Sequence, residues 1–157
     1  ASGYVGDREK HLYAIKPGAK NDISLKPGET KNNFIAWYDK RAAPYNPSPL
    51  VYGDEFYTLF DFGFLACRDA RTGSVHFDKE RINPDKSIGF TASPWAYRGH
   101  VFALSEAGET YVFLAGKEYK LVRVNYTGGM SMANPALAAD RLILRNQNHL
   151  FSIRAKR

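Results

Sequence analysis

The sequence predicts an all-β chain built from a repeated antiparallel unit, and three observations lead to this prediction. Short apolar or alternating runs recur along the 157 residues, turn-forming residues separate these runs, and one stretch returns three times. Helical periodicity is scarce, because Pro135 and the polar pair Asp140-Arg141 interrupt the segment 133–144 that comes nearest to an amphipathic helix. We therefore expect strands joined by tight turns.

The predicted strands are short runs rich in Val, Ile, Leu, Phe and Tyr. They cover residues 12–15, 34–37, 50–52, 56–60, 64–67, 75–77, 101–104, 111–114, 121–124, 142–144 and 150–153. Residues that tolerate positive φ or form side-chain-bonded turns separate many of these runs. Those turns are residues 53–54, 61–63, 71–73, 98–100, 107–109 and 146–148.

An internal repeat groups these strands into units. The segment that begins at Ser48-Pro49 aligns with the segments that begin at Ser93-Pro94 and Asn134-Pro135. Its period of about forty-odd residues is typical of propeller blades. Proline is tolerated at the first position of a strand, where a missing N–H costs least. Each proline therefore predicts the start of an innermost strand, and further strands of the same blade follow it.

The repeat predicts an incomplete β-propeller of about three four-stranded antiparallel blades plus a half-blade. In this interpretation the chain is a single partial domain, 1–157, with a half-blade at about 1–40 and blades at about 45–80, 90–126 and 132–157. A ring of roughly four to eight blades is needed for closure. We therefore expect self-association, or a missing N-terminal half, to complete the propeller. A β-sandwich is the alternative, and the three aligned units argue against it.

Composition narrows the classes of function. The single cysteine, Cys67, excludes an intrachain disulfide and any cysteine-based metal cluster. No apolar run approaches the roughly 18 to 20 residues of a spanning helix. The formal net charge of +6, with a basic end at 154–157, raises nucleic acid as a weak alternative partner. Because the basic residues are scattered, we expect most of them to solubilise the surface.

Several strings in the chain resemble the C-terminal part of bacterial PQQ-like (pyrroloquinoline-quinone-like) β-propeller repeat proteins. They are residues 12–25, 48–52, 67–73, 89–94 and 149–153. The Asp-Ala-x-Thr-Gly turn, Asp69 to Gly73, is the most specific piece, since it resembles the blade motif of the quinoprotein dehydrogenase-like superfamily. The resemblance covers essentially the whole chain. It implies a propeller fold, a role in binding or scaffolding, and a periplasmic or exported location.

The Asp69–Gly73 turn also makes physical sense without the resemblance. Asp69 and Thr72 can accept hydrogen bonds from local backbone N–H groups. Gly73 can adopt the positive φ that closes a hairpin between the third and fourth strands of the blade. We therefore interpret Asp69 as a structural residue and not as a catalytic carboxylate.

The residues give little support to a quinone-dependent enzyme. Quinoprotein dehydrogenases, as the resemblance implies, use calcium, a catalytic aspartate, a tryptophan platform and often adjacent cysteines. This chain has one cysteine, neither Trp37 nor Trp95 stands in a recognisable cofactor motif, and residues 83–86 fit a calcium loop poorly. No cofactor, neither PQQ nor calcium, and no catalytic or metal-ligating residue is predicted. The histidines at positions 11, 76, 100 and 149 show no metal-ligand spacing.

The function predicted is thus a non-catalytic scaffold or a ligand- or protein-binding module, with part of a quinone-dependent oxidoreductase as the alternative. In a propeller, the loops that enter the innermost strands surround the central channel on one face. Such loops can supply aromatic, amide, hydroxyl and thioether groups to a ligand. The candidate binding residues are Tyr45, Asn46, Phe90, Thr91, Met130, Ser131 and Met132.

Overall fold

The computed structural model describes residues 8–154, which form thirteen strands in four antiparallel sheets. The half-blade contains β1 (Leu12–Ile15) and β2 (Ile35–Asp39). Blade 1 contains β3 (Leu50–Tyr52), β4 (Glu55–Phe60), β5 (Phe64–Asp69) and β6 (Val75–Arg81). Blade 2 contains β7 (Trp95–Tyr97), β8 (His100–Leu104), β9 (Glu109–Leu114) and β10 (Leu121–Tyr126). Blade 3 contains β11 (Ala136–Ala138), β12 (Arg141–Arg145) and β13 (Leu150–Arg154).

Each sheet is a meander in which consecutive strands pair in chain order. No helix occurs in residues 8–154, so none of the described residues forms a helix that could cross a membrane. The all-β prediction and the four-stranded unit are confirmed. The ends of the predicted half-blade and third blade, residues 1–7 and 155–157, lie outside the described residues.

The three repeated prolines stand immediately before the innermost strands, as the repeat predicts. β3, β7 and β11 each begin one residue after Pro49, Pro94 and Pro135. A chain of hydrogen bonds joins these entrances: the Ser48 N–H donates to Ser93 Oγ at 2.9 Å, and the Ser93 N–H donates to Asn134 Oδ1 at 2.8 Å. Equivalent positions of successive blades therefore contact one another around a common centre.

The blades pack face to face in series, which distinguishes the fold from a β-sandwich. One face of blade 1 contributes Tyr57 and Leu59 to an apolar core shared with Val101 and Phe113 of blade 2. Its opposite face presents Phe56 to a second core with the half-blade. Blade 1 thus has a different neighbour on each face, as a propeller blade has and a sandwich layer has not.

The turn between β5 and β6 has the predicted construction. Asp69 Oδ1 accepts hydrogen bonds from the Arg71 N–H at 3.0 Å and from the Thr72 N–H at 2.7 Å. Gly73 has a φ of 75°. The exposed Asp69 carboxyl has a pKa below its ordinary value because Thr72 and Arg71 donate hydrogen bonds to its ionised form. Asp69 is therefore part of the turn.

Trp37 of the half-blade holds this turn from the neighbouring sheet. Its Nε1–H donates to the Ala70 carbonyl at 3.0 Å, and Phe56 packs edge-on against its ring. A Cβ on Gly73 would lie 2.7 Å from Cγ of Trp37, so only glycine permits this close approach. Trp37 is thus a structural contact between sheets.

The outermost strands extend further than the apolar runs predict. β6 begins with the apolar run 75–77 and continues to Arg81, with Glu80 and Arg81 paired to Leu65 and Phe64. This strand lies at the solvent-exposed edge of the sheet, where charged residues are common. The hydrophobic pattern therefore does not predict the polar end of β6, although the backbone pairing continues there.

Candidate binding face

One face of the blades, here called the entry face, carries the loops that lead into the innermost strands. It is formed by the connectors 41–49, 82–94 and 127–135 together with the turns 61–63, 105–108 and 146–149. Backbone hydrogen bonds hold connectors and turns together, for example from the Ile82 N–H to the Gly63 carbonyl at 3.0 Å and from the Thr127 N–H to the Gly108 carbonyl at 3.0 Å. All the predicted binding residues belong to these connectors.

Asp61 anchors the first two connectors at the β4–β5 turn. Its carboxylate accepts hydrogen bonds from two consecutive N–H groups, Tyr45 at 2.9 Å and Asn46 at 2.9 Å. Its main-chain carbonyl accepts the Phe90 N–H at 2.9 Å. Charge-assisted bonds to backbone N–H groups are stronger than neutral ones. This part of the entry face is therefore held in one conformation.

Glu106 has the same position in blade 2 and a similar role. Its Oε1 accepts the Thr91 hydroxyl at 2.6 Å, and its carbonyl accepts the Ser131 N–H at 3.0 Å. A Cβ on Gly89 would lie 2.6 Å from the Glu106 carboxylate, so the connector passes very close to it. Asp61 lies in one of the predicted turns, whereas Glu106 precedes the predicted turn 107–109, and neither role was predicted from the sequence.

In blade 3 the equivalent turn position is occupied by Gln147. Its N–H donates to the Met130 carbonyl at 2.9 Å. The neighbouring Asn146 is buried, and its Nδ2 donates to the Gly128 carbonyl at 2.7 Å while its Oδ1 accepts the His149 N–H at 2.7 Å. The third connector is therefore held by an amide and not by a carboxylate.

The predicted residues divide into exposed and buried groups. Tyr45 and Asn46 are exposed, and the side chains of Met130 and Met132 are 50% and 51% exposed. Phe90 and Ser131 are 0% and 2% exposed, so they face the core, and Thr91 is half-buried on Glu106.

The exposed candidates have further apolar neighbours on the entry face. Phe62, at the tip of the Asp61 turn, is 59% exposed, and Tyr126, at the end of β10, is 73% exposed. Met130 and Met132 border a cavity of about 170 Å³ whose wall includes Arg145 and Gln147. The entry face therefore offers aromatic and thioether surface on an ordered backbone.

A second concavity lies on the free face of the half-blade. The segment 23–29 folds over Tyr13, Ile15 and Tyr38 and leaves a cavity of about 550 Å³. The rings of Tyr13 and Tyr38 stack with their centroids 4.7 Å apart, and the Tyr38 hydroxyl lies 2.6 Å from Nδ1 of His11. Sequence reasoning missed this site, since the tyrosines meet only through the β1–β2 register.

The buried polar side chains between blades 1 and 2 do not form an accessible catalytic centre. Glu109 accepts hydrogen bonds from Lys86 and from the buried Tyr111 hydroxyl, the latter at 2.6 Å. Burial disfavours the charged form of Glu109, but these two hydrogen bonds outweigh burial and lower its pKa. Burial, opposed by a hydrogen bond from Asn83 and reinforced by Glu109, raises the pKa of Tyr111 to about 12, so its hydroxyl stays a donor.

Cys67 is likewise unsuited to nucleophilic chemistry. Its side chain is 0% exposed, and burial, reinforced by Glu55, raises the pKa of its thiol to about 12. The thiolate is the reactive form of cysteine. Cys67 therefore acts as an apolar core residue whose sulfur lies 3.7 Å from the Gly116 carbonyl.

The residues also fit a quinone and calcium poorly. Trp37 is enclosed between sheets, and Trp95 is stacked on Phe102 at 5.2 Å, so each ring is already engaged in packing. Among residues 8–154, no three His, Cys, Asp or Glu side chains come together as a metal site. The donor set of these residues does not match the calcium-bound quinone that the resemblance implies.

Comparisons with known proteins agree with the architecture. The fold is similar to the crystal structure of BamB from Moraxella catarrhalis, a β-propeller protein, with a TM-score of 0.61 and 11% sequence identity. The similarity covers 75% of this chain and 33% of the BamB chain, so this chain spans about a third of the length of BamB. No family model and no curated protein matches the sequence. The comparison establishes a propeller fold.

Proposed function

We propose that this chain is a non-catalytic β-propeller module that binds protein through the entry face. The observation that carries the proposal is the pair of half-exposed methionines, Met130 and Met132, on a connector fixed at Glu106 and Gln147. Exposed apolar groups of this kind mark interaction surfaces. Methionine adapts to irregular partners because its thioether chain is flexible and polarisable.

The aromatic residues on the same face support this proposal. Phe62 and Tyr126 expose more than half of their side chains, and Tyr45 stands on the Asp61 anchor. Aromatic side chains and methionine are enriched in protein interfaces. An ordered backbone lowers the entropy cost of binding.

A peptide-binding experiment tests the proposal. A random peptide library is panned on the whole chain, and the affinities of selected peptides are measured by fluorescence anisotropy. We expect the double variant Met130→Ser/Met132→Ser to lose about tenfold in affinity or more. The matched control is Val75→Ser/Leu114→Ser. It removes two exposed apolar side chains at the ends of the blades away from the entry face, where β6 begins and β9 ends. Failure to select any peptide, or equal losses in both double variants, contradicts the proposal.

The finer assignments belong to the same proposal. We propose membership of the PQQ-like repeat family, on the Asp69–Gly73 turn and the repeated prolines, and a periplasmic or exported location, on the resemblance to that family. Neither an enzyme activity nor a cofactor is part of the proposal. Adding pyrroloquinoline quinone with calcium and recording the absorption spectrum tests the oxidoreductase alternative, because a bound quinone shifts its spectrum.

Completion of the propeller by a second copy, or by a further N-terminal part, also stays a prediction. The free face of the half-blade is suited to it, since Tyr13 and Ile15 are 41% and 57% exposed there. Light scattering measures the outcome. A mass above 17.7 kDa supports self-association, and a monomer contradicts it.

A further inference from the structure

The outer face of blade 3 is the face that points away from blade 2. Leu142 and Leu144 pack against blade 2, so the residues that alternate with them along β12 point in the opposite direction. Their cross-strand partners on β13 share that direction. On β12 and β13 the outer face contains Arg141, Ile143, Arg145, Leu150, Ser152 and Arg154, and Ala136 and Ala138 of β11 share it.

An arginine stands on this face at the last residue of β12, where the other blades have leucine. The register places Arg145 opposite Leu150 in blade 3, just as Leu59 lies opposite Leu65 in blade 1 and Leu104 opposite Thr110 in blade 2. Leu59 and Leu104 are 0% and 1% exposed because each is covered by the following blade. Arg145 is exposed. The outer face of blade 3 therefore differs in chemistry from the two faces that bind a blade.

The charge on this face is unbalanced. Asp140 pairs with Arg154 at 2.5 Å and lies 3.9 Å from Arg141, which also donates to Ser152 Oγ. The side chain of Arg145 has no hydrogen bond and no ion pair within residues 8–154. The face presents three arginines to a single aspartate, and among the described residues the Arg145 guanidinium has no anionic partner.

Apolar groups lie between the arginines. Ile143 is half-buried, and Leu150 is 71% exposed beside Arg145. The cavity bordered by Met130 and Met132 adjoins the same arginine. Charged and apolar groups thus alternate over one side of a two-stranded ladder, with the spacing of a β-strand.

The arginines and apolar groups of the outer face determine which kind of molecule can bind there. An apolar blade face over Arg145 would bury an unpaired guanidinium, and its desolvation would oppose the contact. A carboxylate can meet the guanidinium with two parallel hydrogen bonds. An extended chain with acidic and apolar side chains two residues apart, as in Glu-x-Leu-x-Glu, would turn both kinds of group to this face, because every second side chain of a strand points the same way. It would place carboxylates on the arginines and an apolar group on Ile143. Asp140 and Leu150 fit the phosphates of a nucleic acid less well.

We propose that the outer face of blade 3 binds an acidic, extended peptide segment of a partner protein, with Arg145 as the residue that pairs with its carboxylate. This inference rests on the proposed function, because it names the partner chemistry of a surface that continues from the entry face. It adds a requirement for negative charge, which the exposed methionines do not impose.

The test uses a fluorescein-labelled peptide with the repeat Glu-Ser-Leu-Ser, which places Glu and Leu on the same side of an extended chain, and measures its anisotropy with the whole chain. We expect Arg145→Leu to weaken binding about tenfold, because it restores the leucine of blades 1 and 2 and removes the anion partner. Arg145→Lys keeps the charge but loses the two parallel bonds, so it should lose affinity only partly. The matched control, Arg71→Leu, removes an arginine whose side chain is 84% exposed in the β5–β6 turn. Circular dichroism verifies that each variant is folded.

Four competing outcomes would overturn the inference. Equal binding of a peptide with the repeat Gln-Ser-Leu-Ser would show that binding does not depend on negative charge. Equal losses of affinity in Arg145→Leu and Arg71→Leu would show that binding depends on the net charge of the chain and not on the outer face. Displacement of the peptide by a short thymidine oligonucleotide of matched charge at equal affinity would identify a nucleic-acid surface. If the unaltered chain forms an oligomer and Arg145→Leu lowers the mass of that oligomer in light scattering, the occupant is a second copy of the chain.

The two proposals fail separately. If library peptides depend on Met130 and Met132 but not on Arg145, the entry face binds protein and the inference about the outer face is wrong. If the acidic peptide depends on Arg145 while the methionine variants have no effect on library peptides, the entry-face proposal is wrong. Weaker binding at about 0.3 M than at about 0.1 M salt should accompany the expected result.

Discussion

The β5–β6 turn of blade 1 and the β9–β10 turn of blade 2 occupy the same place in their blades but are held differently. The first has a local network around Asp69 and also receives Trp37 from the preceding sheet. The second, at residues 115–120, lacks the motif. It is held by Tyr57 of blade 1, whose hydroxyl accepts the Gly116 N–H at 2.7 Å. A buried aromatic side chain of the preceding sheet therefore contacts each turn, although the second turn lacks the local motif.

A contact from the preceding sheet is thus common to both turns, whereas the local hydrogen-bonding motif occurs in only one of them. In blade 1 the motif residues shape the turn before Trp37 packs on it. In blade 2 the turn sequence Ala115-Gly116-Lys117-Glu118 offers few side chains that could bond the local backbone. This turn is held by Tyr57 and by backbone hydrogen bonds such as that from the Ala115 N–H to the Gly99 carbonyl at 2.9 Å. Substitutions at both turns can separate these contributions.

The largest effect is expected from removal of the tryptophan. Trp37→Ala should lower the free energy of unfolding by about 3–5 kcal/mol, because it empties a buried aromatic site between sheets. Urea denaturation followed by tyrosine fluorescence or circular dichroism measures the change. Trp37→Phe keeps an aromatic ring and loses only the bond to Ala70, so it should cost much less. Equal costs for the two variants would mean that the N–H, and not the ring, carries the contact.

The next effect concerns the glycine beneath that ring. Gly73→Ala should cost about 2 kcal/mol or more, because the new Cβ would meet Trp37 at 2.7 Å and the φ of 75° is unfavourable. Gly116→Ala is the control in blade 2, where φ is 142° and no atom lies within 4 Å of the new Cβ. A smaller loss is expected there. Thermal unfolding compares the two, and a larger loss for Gly116→Ala would contradict the steric explanation.

A similar loss is expected from the tyrosine that replaces the motif. Tyr57→Phe should cost about 1–3 kcal/mol, because the half-buried Gly116 N–H loses its acceptor. Hydrogen exchange of the Gly116 amide should accelerate at the same time. Tyr52→Phe, which removes an acceptor from the exposed Gly99 N–H, is the control and should cost under about 1 kcal/mol. Unchanged exchange at Gly116 would show that Tyr57 does not hold the turn.

The smallest effect is the pH response of the local motif. The hydrogen bonds that Asp69 accepts from Thr72 lower its pKa in the folded chain. This contribution is fully present above the unfolded value of about 3.9 and is lost as the pH falls below it through the folded pKa. Amide chemical shifts of Thr72 should therefore titrate in that acidic range, and Asp69→Asn should abolish the response. In the β9–β10 turn the carboxylate of Glu118 accepts no hydrogen bond from the turn backbone, so no comparable response is expected there.

Much of the fold could be predicted because its signals are local. The prolines at 49, 94 and 135 mark the innermost strands, and Asp69 with Gly73 marks a hairpin, since both effects act within a few residues. The polar end of β6 could not be predicted from hydrophobic pattern, because its pairing is made by backbone groups.

The site was less accessible to sequence reasoning. Asp61 looks like a turn residue, and its role appears only when Tyr45 and Asn46 return to it from the preceding connector. Phe90 sits in a connector, yet it is buried because the blade 1–blade 2 core extends beneath it. Arg145 could have been found by extending the repeat alignment to the position of Leu59 and Leu104.

The bonds from Ser48 to Ser93 and from Ser93 to Asn134 have a mechanical consequence. The entrances of β3 and β7 are each held by an acceptor in the connector of the following blade, so the two hydrogen bonds run in the same direction along the chain. In a series of repeated units stability is a sum over neighbouring interfaces. Loss of blade 3 would release the entrance of blade 2 and leave that of blade 1 intact. Unfolding under force should therefore occur in steps, one blade at a time.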